Sequence, residues 1–200
     1  MTIVYKFYNS LYINLTNRCT NACPYCIKSK WKGKFRGNDL YLKKEPTSEE
    51  VIKSIKDPKL FKEIVFCGYG EPLLKLEEVK EISKWIKSQG GKVRINTSGQ
   101  ANLYYKKNIL PELKDLVDAV SISLNGTDKK EYNELNKSIY GEKAFDGVIK
   151  FIKESKKYIP EVVITAVELP GLDVEKIRHL AKELKVNFRV RPYLDKYETS

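Results

Sequence analysis

Short apolar runs alternate with amphipathic segments along the chain, a pattern typical of parallel strands joined by crossover helices. Six runs are mostly β-branched or apolar, which predicts strands at residues 11–15, 64–67, 93–96, 119–124, 162–167 and 188–190. Apolar residues at helical spacing predict helices at residues 47–55, 76–88, 143–158 and 173–184. Residues 104–116 fit a helix that Pro111 interrupts.

Right-handed βα units in series predict an α/β fold, an open (βα)6 partial TIM barrel with a parallel curved sheet. Such folds place their chemistry beyond the carboxyl ends of the strands. The chain has no internal repeat, low-complexity tract or linker, so we expect residues 1–200 to form a single domain. Residues 27–46 fit neither period and are rich in lysine, glycine and aromatic residues, which predicts a long loop.

Composition narrows the class of protein only slightly. Hydrophobic residues make up 42% of the chain and charged residues 32%, with a formal net charge of +11. No apolar stretch approaches the roughly 20 residues that cross a bilayer, and residues 1–12 lack a secretory signal, so we expect a cytoplasmic protein with no membrane partner. Because the lysines are spread over nearly every predicted helix, the charge fits a solvated surface as well as an anionic partner.

Three of the four cysteines follow the first predicted strand directly, at Cys19, Cys23 and Cys26. This position puts three thiols at the predicted active edge of the sheet. Three soft ligands suit an iron–sulfur cluster or a zinc ion. A cubane cluster would keep one iron open for a chelating ligand, whereas a structural zinc site would need a fourth protein ligand, for which Cys67 is a candidate. Spacing alone leaves both interpretations open, together with inert buried cysteines.

A second motif, CGYGEP at residues 67–72, ends the second predicted strand. Glycines such as Gly68 and Gly70 allow a ligand to approach the backbone closely. The Glu71 carboxylate can neutralise an ammonium group through charge-assisted hydrogen bonds. A turn before a helix can have the same sequence, so the position of the motif relative to the cysteines is what makes it specific.

Polar residues also end the later strands, where a buried core would not need them. They are Asn96 and Ser98 after the third strand, Ser123 and Asn125 after the fourth, and Arg189 and Arg191 in the sixth. Side chains alternate along a strand, so the two arginines share one face. That pair fits contact with an anionic substrate, contact with a cofactor carboxylate, or a pair of surface cations.

The cysteine motif resembles that of the radical S-adenosylmethionine (radical SAM) superfamily, in which three and two residues separate the cysteines and an aromatic residue precedes the last one. Tyr25 occupies that aromatic position. The resemblance covers nearly the whole chain, since an open six-unit βα barrel is the core fold of the superfamily. It implies a 4Fe-4S cluster held by Cys19, Cys23 and Cys26, and S-adenosyl-L-methionine as cofactor.

The resemblance also implies roles for the remaining site residues. Tyr25 would lie against the adenine of the cofactor, while Gly68, Gly70 and Glu71 would receive its methionine ammonium group. Its ribose and carboxylate would contact Ser98, Ser123 and Asn125. From their positions at strand ends, we also expect Asn96 and Arg191 to bind the cofactor. Tyr69 stands where the commonest form of the second motif has glycine, or is inserted within that motif. No catalytic side chain is assigned beyond the cluster.

As an enzyme of this superfamily, the protein would use a one-electron donor such as flavodoxin or ferredoxin to cleave S-adenosylmethionine. The resulting 5'-deoxyadenosyl radical would act on an unidentified substrate, and residues 27–46 would cover the site or contact that substrate. Residues 9–18, 67–72 and 120–125 are similar to those of TatD family-associated radical SAM proteins, which implies a pathway link to a TatD-type nuclease. The alternatives are a glycyl-radical-enzyme activase and a non-catalytic zinc-binding module that uses Cys67.

Overall fold

The structure, a computed structural model, describes residues 1–194 of the chain. Its strands and α-helices follow in chain order as β1 (Val4–Phe7), β2 (Ser10–Ile13), α1 (Ile27–Lys30), β3 (Lys34–Phe35), β4 (Asn38–Asp39), α2 (Ser48–Ile55), β5 (Ile64–Phe66), α3 (Leu76–Ser88), β6 (Val93–Thr97), α4 (Ala101–Tyr105), β7 (Ala119–Ser123), α5 (Lys129–Asn136), α6 (Lys143–Ser155), β8 (Glu161–Val167), α7 (Val174–Glu183) and β9 (Asn187–Arg191). Within this part of the chain, no helix is long and apolar enough to cross a membrane.

Seven of the strands form one sheet, in the order β1-β2-β5-β6-β7-β8-β9. From β2 to β9 every neighbouring pair is parallel. These are the six strands that the sequence predicts, so the α/β fold with a parallel curved sheet is confirmed. Since β1 and β9 do not pair with each other within residues 1–194, the barrel is open.

The sequence pattern did not predict β1, which pairs antiparallel with β2 at the edge of the sheet. Tyr5 lies opposite Tyr12 in this pair, and their rings stack with centroids 5.3 Å apart. A tight turn joins the two strands, with Tyr8 in the left-handed region at a φ of 50°. Polar residues interrupt the apolar run of this segment, which hides the strand in the sequence.

The core lies between the sheet and the helices that cover its convex face. Isoleucines from successive strands are fully buried on this face, and they pack against the apolar faces of α3 and α6. The strand residues are Ile64, Ile95, Ile122 and Ile164, and the helix residues include Ile82, Ile86, Val148 and Phe151. Burial of such side chains contributes about 1.5–3 kcal/mol each to stability, so this layer fixes the strand order.

Capping residues and prolines in the sequence determine where several helices begin and end. A capping box begins α2, because the Glu50 backbone N–H donates to the Thr47 hydroxyl at 3.2 Å and the Thr47 N–H donates to the Glu50 carboxylate at 2.8 Å. The interruption predicted at Pro111 is present, but residues 104–116 contain less α-helix than the sequence predicts. There α4 ends at Tyr105, and Pro111 lies in a separate 3-10 turn, since proline cannot continue the α-helical hydrogen bonding.

Residues 27–46 are more ordered than the predicted loop. They form α1 and the hairpin of β3 and β4, followed by the buried side chains of Leu40 and Leu42. The Asn14 side-chain amide donates to the Leu40 carbonyl at 2.7 Å, and Asn17 donates to the Leu42 carbonyl at the same distance. The segment is therefore tied to the chain that follows β2.

Candidate functional site

The loop that follows β2 carries Cys19, Cys23 and Cys26 at the carboxyl edge of the sheet. All three are half-buried free thiols. Burial raises the pKa of Cys19 to about 12 and that of Cys23 to about 11, and it also raises the pKa of Cys26. Negative charge on the neighbouring cysteines contributes in the same direction for Cys19 and Cys23, as expected for closely spaced thiols.

The donor atoms and polar groups around these thiols are chemically suited to holding an iron–sulfur cluster. Within residues 1–194, no three His, Cys, Asp or Glu side chains converge in a ready-made metal-binding arrangement. The donor set is nevertheless three unpaired thiols, which iron–sulfur clusters require. The buried hydroxyls of Thr20 and Ser98 have no hydrogen-bond partner in the described part of the chain. Buried polar atoms normally have partners, so a bound group could supply those that these two lack.

The end of α5 holds the cysteine loop in place through Asn136. Its backbone carbonyl accepts from the Ala22 N–H at 3.1 Å, and its side-chain oxygen accepts from the Tyr25 hydroxyl at 2.6 Å. The Cys23 sulfur lies 3.6 Å from the same side-chain oxygen. Asn136 is therefore a site residue that the sequence analysis missed, because it becomes buried through contacts with a loop more than a hundred residues away.

Tyr25, the predicted aromatic neighbour of the adenine, is fixed between α5 and β7. Its hydroxyl donates to Asn136 and accepts from the Asn125 side chain at 2.8 Å. Burial raises the pKa of Tyr25 well above its ordinary value, so it remains a phenol. The Asn125 oxygen accepts from the Val167 N–H at 2.7 Å. Asn125, predicted to contact the cofactor, thus has protein partners and positions the Tyr25 ring.

Gln100 provides a second connection between the cysteine loop and α5. It is fully buried, and its amide donates to the Asn21 side chain at 2.8 Å and to the Tyr132 hydroxyl at 3.0 Å. Its oxygen accepts from the Ser138 hydroxyl at 3.0 Å. No motif marks Gln100 in the sequence, and this residue was also missed.

The glycines of the second motif permit close contact between two loops. A side chain at Gly68 would collide with Asn14, and one at Gly70 would collide with the backbone carbonyls of Thr16 and Arg18. The loop after β5 therefore packs directly against the start of the cysteine loop. This packing requires glycine at both positions, whether or not a ligand also approaches them.

Glu71 is buried, with 3% of its surface exposed, and its carboxylate already has three donors. One oxygen accepts from the Leu73 N–H at 3.0 Å and from the Thr97 hydroxyl at 2.8 Å, and the other accepts from the Ser98 N–H at 2.6 Å. Burial raises the pKa of Glu71, while the N–H donors act in the opposite direction. Glu71 thus joins the end of β5 to the end of β6, and its contact with an ammonium group stays a prediction.

Two further predicted residues, Asn96 and Ser123, lie on β6 and β7. The Asn96 side-chain oxygen accepts from the Arg94 guanidinium at 2.5 Å, so a neighbouring side chain already binds it. Ser123 ends β7 opposite Thr165 of β8 and is half-buried. The structure therefore places Ser123 nearer the carboxyl edge than Asn96.

Arg191 and Cys67 both act electrostatically on the third cysteine, Cys26. Positive charge on Arg191 lowers the pKa of Cys26, and negative charge on Cys67 raises it, although burial is the larger cause of its upward shift. Arg191 is exposed at the end of β9, and Cys67 follows β5 directly. The predicted position of Cys67 on the same edge as the other cysteines is thus what the structure shows.

The segment of residues 27–46 packs against the second motif. The Lys28 ammonium lies 5.2 Å from the centre of the Tyr69 ring, and the Tyr41 ring meets the Tyr69 ring edge-on at a centroid distance of 6.0 Å. A side chain at Gly33 would also collide with Tyr69. Tyr69, at the departure from the commonest motif, therefore supports the neighbouring segment.

A family model described as the Radical SAM superfamily matches residues 13–184, which include both motifs. The chain therefore belongs to the Radical SAM superfamily. Membership implies, in general, a 4Fe-4S cluster and S-adenosylmethionine.

Two relatives of this chain come from Methanocaldococcus jannaschii. An uncharacterized protein is 32% identical over 173 residues, covering 86% of this chain and 52% of its own length. A putative glycyl-radical enzyme activating enzyme is 29% identical over 168 residues, covering 84% of this chain and 65% of its own length. The chain therefore spans about half to two thirds of these relatives.

Solved structures share the fold. Streptococcus suis SuiB bound to S-adenosylmethionine has a TM-score of 0.67 over 94% of this chain and 41% of its own, at 20% identity. HydG, a maturase of the FeFe-hydrogenase, has a TM-score of 0.59 over 92% of this chain and 42% of its own, at 17% identity. Both likenesses support the partial barrel seen here.

Proposed function

We propose that the protein is a radical SAM enzyme in which Cys19, Cys23 and Cys26 hold a 4Fe-4S cluster. It would cleave S-adenosylmethionine reductively and act on an unidentified substrate. The observation that carries the proposal is the set of three free thiols on one loop at the carboxyl edge of a partial barrel. That loop is held against α5 by Asn136 and Gln100, which fixes the positions of the ligands.

A reduced cluster with bound S-adenosylmethionine supplies the one-electron chemistry that yields a 5'-deoxyadenosyl radical able to abstract hydrogen. The residues of the chain would bind S-adenosylmethionine and orient it. Tyr25, fixed as a phenol, would offer its ring to the adenine, and Arg191 would offer a cation to the cofactor carboxylate. Backbone around Gly68 and Gly70, with Glu71, would receive the ammonium group, while Asn96, Ser98 and Ser123 would face the ribose side.

The same proposal includes the compartment, the domain organisation and the partners of this enzyme. It would act in the cytoplasm, as one core domain over residues 1–200, and receive electrons from a donor such as flavodoxin or ferredoxin. The resemblance of residues 9–18, 67–72 and 120–125 to TatD family-associated radical SAM proteins supports a pathway link to a TatD-type nuclease.

A glycyl-radical-enzyme activase is the second candidate, and the relative bearing that putative activity supports it. In that case the substrate would be a loop of another protein. A zinc-binding module is the non-catalytic alternative, since Cys67 follows β5 at the same edge of the sheet as the other cysteines and would be the fourth thiolate.

Anaerobic reconstitution with iron and sulfide, followed by dithionite and S-adenosylmethionine, tests the proposal without a substrate. We expect 5'-deoxyadenosine and methionine to form in equal amounts, and neither to form without the reductant. A reconstituted protein that binds stoichiometric zinc, holds no iron and forms no 5'-deoxyadenosine would exclude the radical SAM activity.

A further inference from the structure

The concave face of the sheet carries two arginines from β9. Phe188 packs against the core and lies 4.9 Å below the Arg178 guanidinium of α7, whereas Arg189 and Arg191 are exposed on the opposite side. The Arg189 guanidinium lies 3.4 Å from the hydroxyl of Ser121, a buried residue of β7. Arg189 therefore reaches across β8 along the floor of the open barrel.

The carboxylate on this face is already paired with a different arginine. Arg94 of β6 donates to both oxygens of Glu63, at 3.0 and 2.7 Å, and to Asn96. Within residues 1–194, neither Arg189 nor Arg191 forms an ion pair with a carboxylate. Among the residues that the structure describes, Glu63 therefore acts on Arg189 only through space, and neither arginine has a carboxylate in direct contact.

The two arginines lie at different depths in the barrel. Arg189 is opposite Thr165 and Arg191 is opposite Val167, which separates the arginines by about 7 Å along the strand. Arg191 is the one near Cys26 and the carboxyl edge. Partial desolvation, together with the charges of Arg94 and Arg191, lowers the pKa of Arg189, and Tyr12 and Glu63 offset only part of this shift. An oxyanion beside Arg189 would relieve this crowding of positive charge.

We infer that Arg189, supported by the Ser121 hydroxyl, binds the oxyanion of a small anionic substrate. A planar guanidinium matches the two oxygens of a carboxylate or phosphate, and a hydroxyl adds a further donor. The oxyanion sits deeper than Arg191, so the remainder of the molecule extends toward the cysteine edge. The identification of this ligand as the substrate rests on the proposed function, whereas the oxyanion site itself does not.

Titration of the full-length protein with inorganic phosphate and with malonate, followed by calorimetry, tests the site directly. We expect saturable binding of one of them, and the preferred probe identifies the substrate oxyanion as phosphate or carboxylate. Arg189→Gln should weaken that binding by roughly tenfold or more, because it removes a charged hydrogen-bond donor. Arg189→Lys should retain part of the affinity, since it keeps the charge and loses the planar geometry.

Arg178→Gln is the matched control, because Arg178 is an exposed arginine of α7 that pairs with Glu175. It should bind the probe as the native protein does. Circular dichroism of each variant verifies the fold. Equal binding to the native protein and Arg189→Gln, or no saturable binding of either probe, would overturn the inference.

Cluster assembly and 5'-deoxyadenosine formation are measured separately on the native protein, so the two proposals can fail independently. Binding that depends on Arg189 in a protein unable to assemble a cluster would leave the oxyanion site standing and remove the proposed function. Cofactor cleavage in a protein that binds neither probe would remove the oxyanion site alone.

Discussion

At the residue scale, the buried carboxylate of Glu71 connects two strand ends through the Leu73, Thr97 and Ser98 donors. Glu71→Gln replaces one acceptor oxygen with an NH2 group, which cannot accept from the N–H or hydroxyl facing it. We expect the free energy of unfolding to fall by about 1–3 kcal/mol, the usual cost of an unsatisfied buried donor. Urea unfolding of the protein measures this loss.

The exposed Glu81 of α3 offers a matched control. Glu81→Gln should change the free energy of unfolding by less than about 0.5 kcal/mol, as is usual for surface substitutions. If Glu71→Gln were equally neutral, Glu71 would not hold the strand ends together, and a role confined to the cofactor would be favoured.

Cys67 follows β5 at the same edge of the sheet as the other cysteines, so its substitution distinguishes the cluster from zinc. A closed zinc site needs four ligands, whereas a radical SAM cluster needs one iron without a protein ligand. We expect Cys67→Ser to retain the iron and reductive cleavage, while serine at Cys19, Cys23 or Cys26 loses both. Metal analysis and electron paramagnetic resonance of the reduced protein report the outcome. If Cys67→Ser lost its metal while the other three serine variants kept theirs, the prediction of a cluster would be contradicted.

The pair formed by Glu63 and Arg94 predicts a pH dependence of stability. Burial raises the pKa of Glu63, but the hydrogen bonds and charge of Arg94 lower it more, so the net shift is downward from 4.5. A carboxyl with a lowered folded-state pKa stabilises the protein above about pH 4.5, its unfolded value, and this contribution is lost as the pH falls through the folded value. Unfolding should therefore become easier on acidification below about pH 4.5.

Glu63→Gln should remove the part of the pH dependence of stability that comes from the Glu63–Arg94 pair. Its free energy of unfolding, measured in urea from pH 7 to pH 3, should be lower than that of the native protein at pH 7 and should fall less steeply. Glu81→Gln should follow the native curve. Parallel curves for the native protein and Glu63→Gln would show that the Arg94 pair does not couple stability to protonation.

Individual site residues could be predicted from the sequence where their motif is local. Cys19, Cys23, Cys26 and Tyr25 lie within eight positions, so spacing reveals them. Asn136 and Gln100 could not be found this way, because their partners lie far away in the chain and asparagine or glutamine on a helix or turn is usually exposed. The network around the cysteines therefore became visible only with the fold.

At the element scale, the helices with a local sequence signal were predicted, and those that depend on distant contacts were not. Apolar spacing predicted α3 and α6 closely, whereas α5 was missed because the only residues it buries are Tyr132 and Asn136. The strands β3 and β4 are two residues each, too short to produce an alternating pattern. Elements that lack an apolar face of their own depend on tertiary contacts, which a single sequence does not display.

The segment after β4 should be important for stability because Leu40 is fully buried. Leu40→Ala should lower the free energy of unfolding by about 2–5 kcal/mol, through lost burial and the cavity it leaves. Tyr41→Ala is the neighbouring control, since Tyr41 is 52% exposed, and it should cost less than about 1 kcal/mol. Urea unfolding compares them. Equal losses would mean that this segment does not pack as described.

At the scale of the whole molecule, the parallel sheet gathers the site loops at one edge. The cysteine loop follows β2, the second motif follows β5, and Ser98 and Asn125 follow β6 and β7. The sequence predicted this grouping because βα units place successive strand ends together. It could not predict that Asn96 and Arg189 would lie deeper in the barrel, since depth depends on strand register and curvature.

The same strand order has a consequence for how quickly the chain can reach its native state. Tight turns join only β1 to β2 and β3 to β4 within residues 1–194, and the other strand pairs close long loops, as when Leu11 pairs with Ile64. Long loops must lose entropy before their contacts form. Stopped-flow dilution from urea should therefore show refolding in roughly milliseconds to seconds, and a relaxation of microseconds would contradict this expectation.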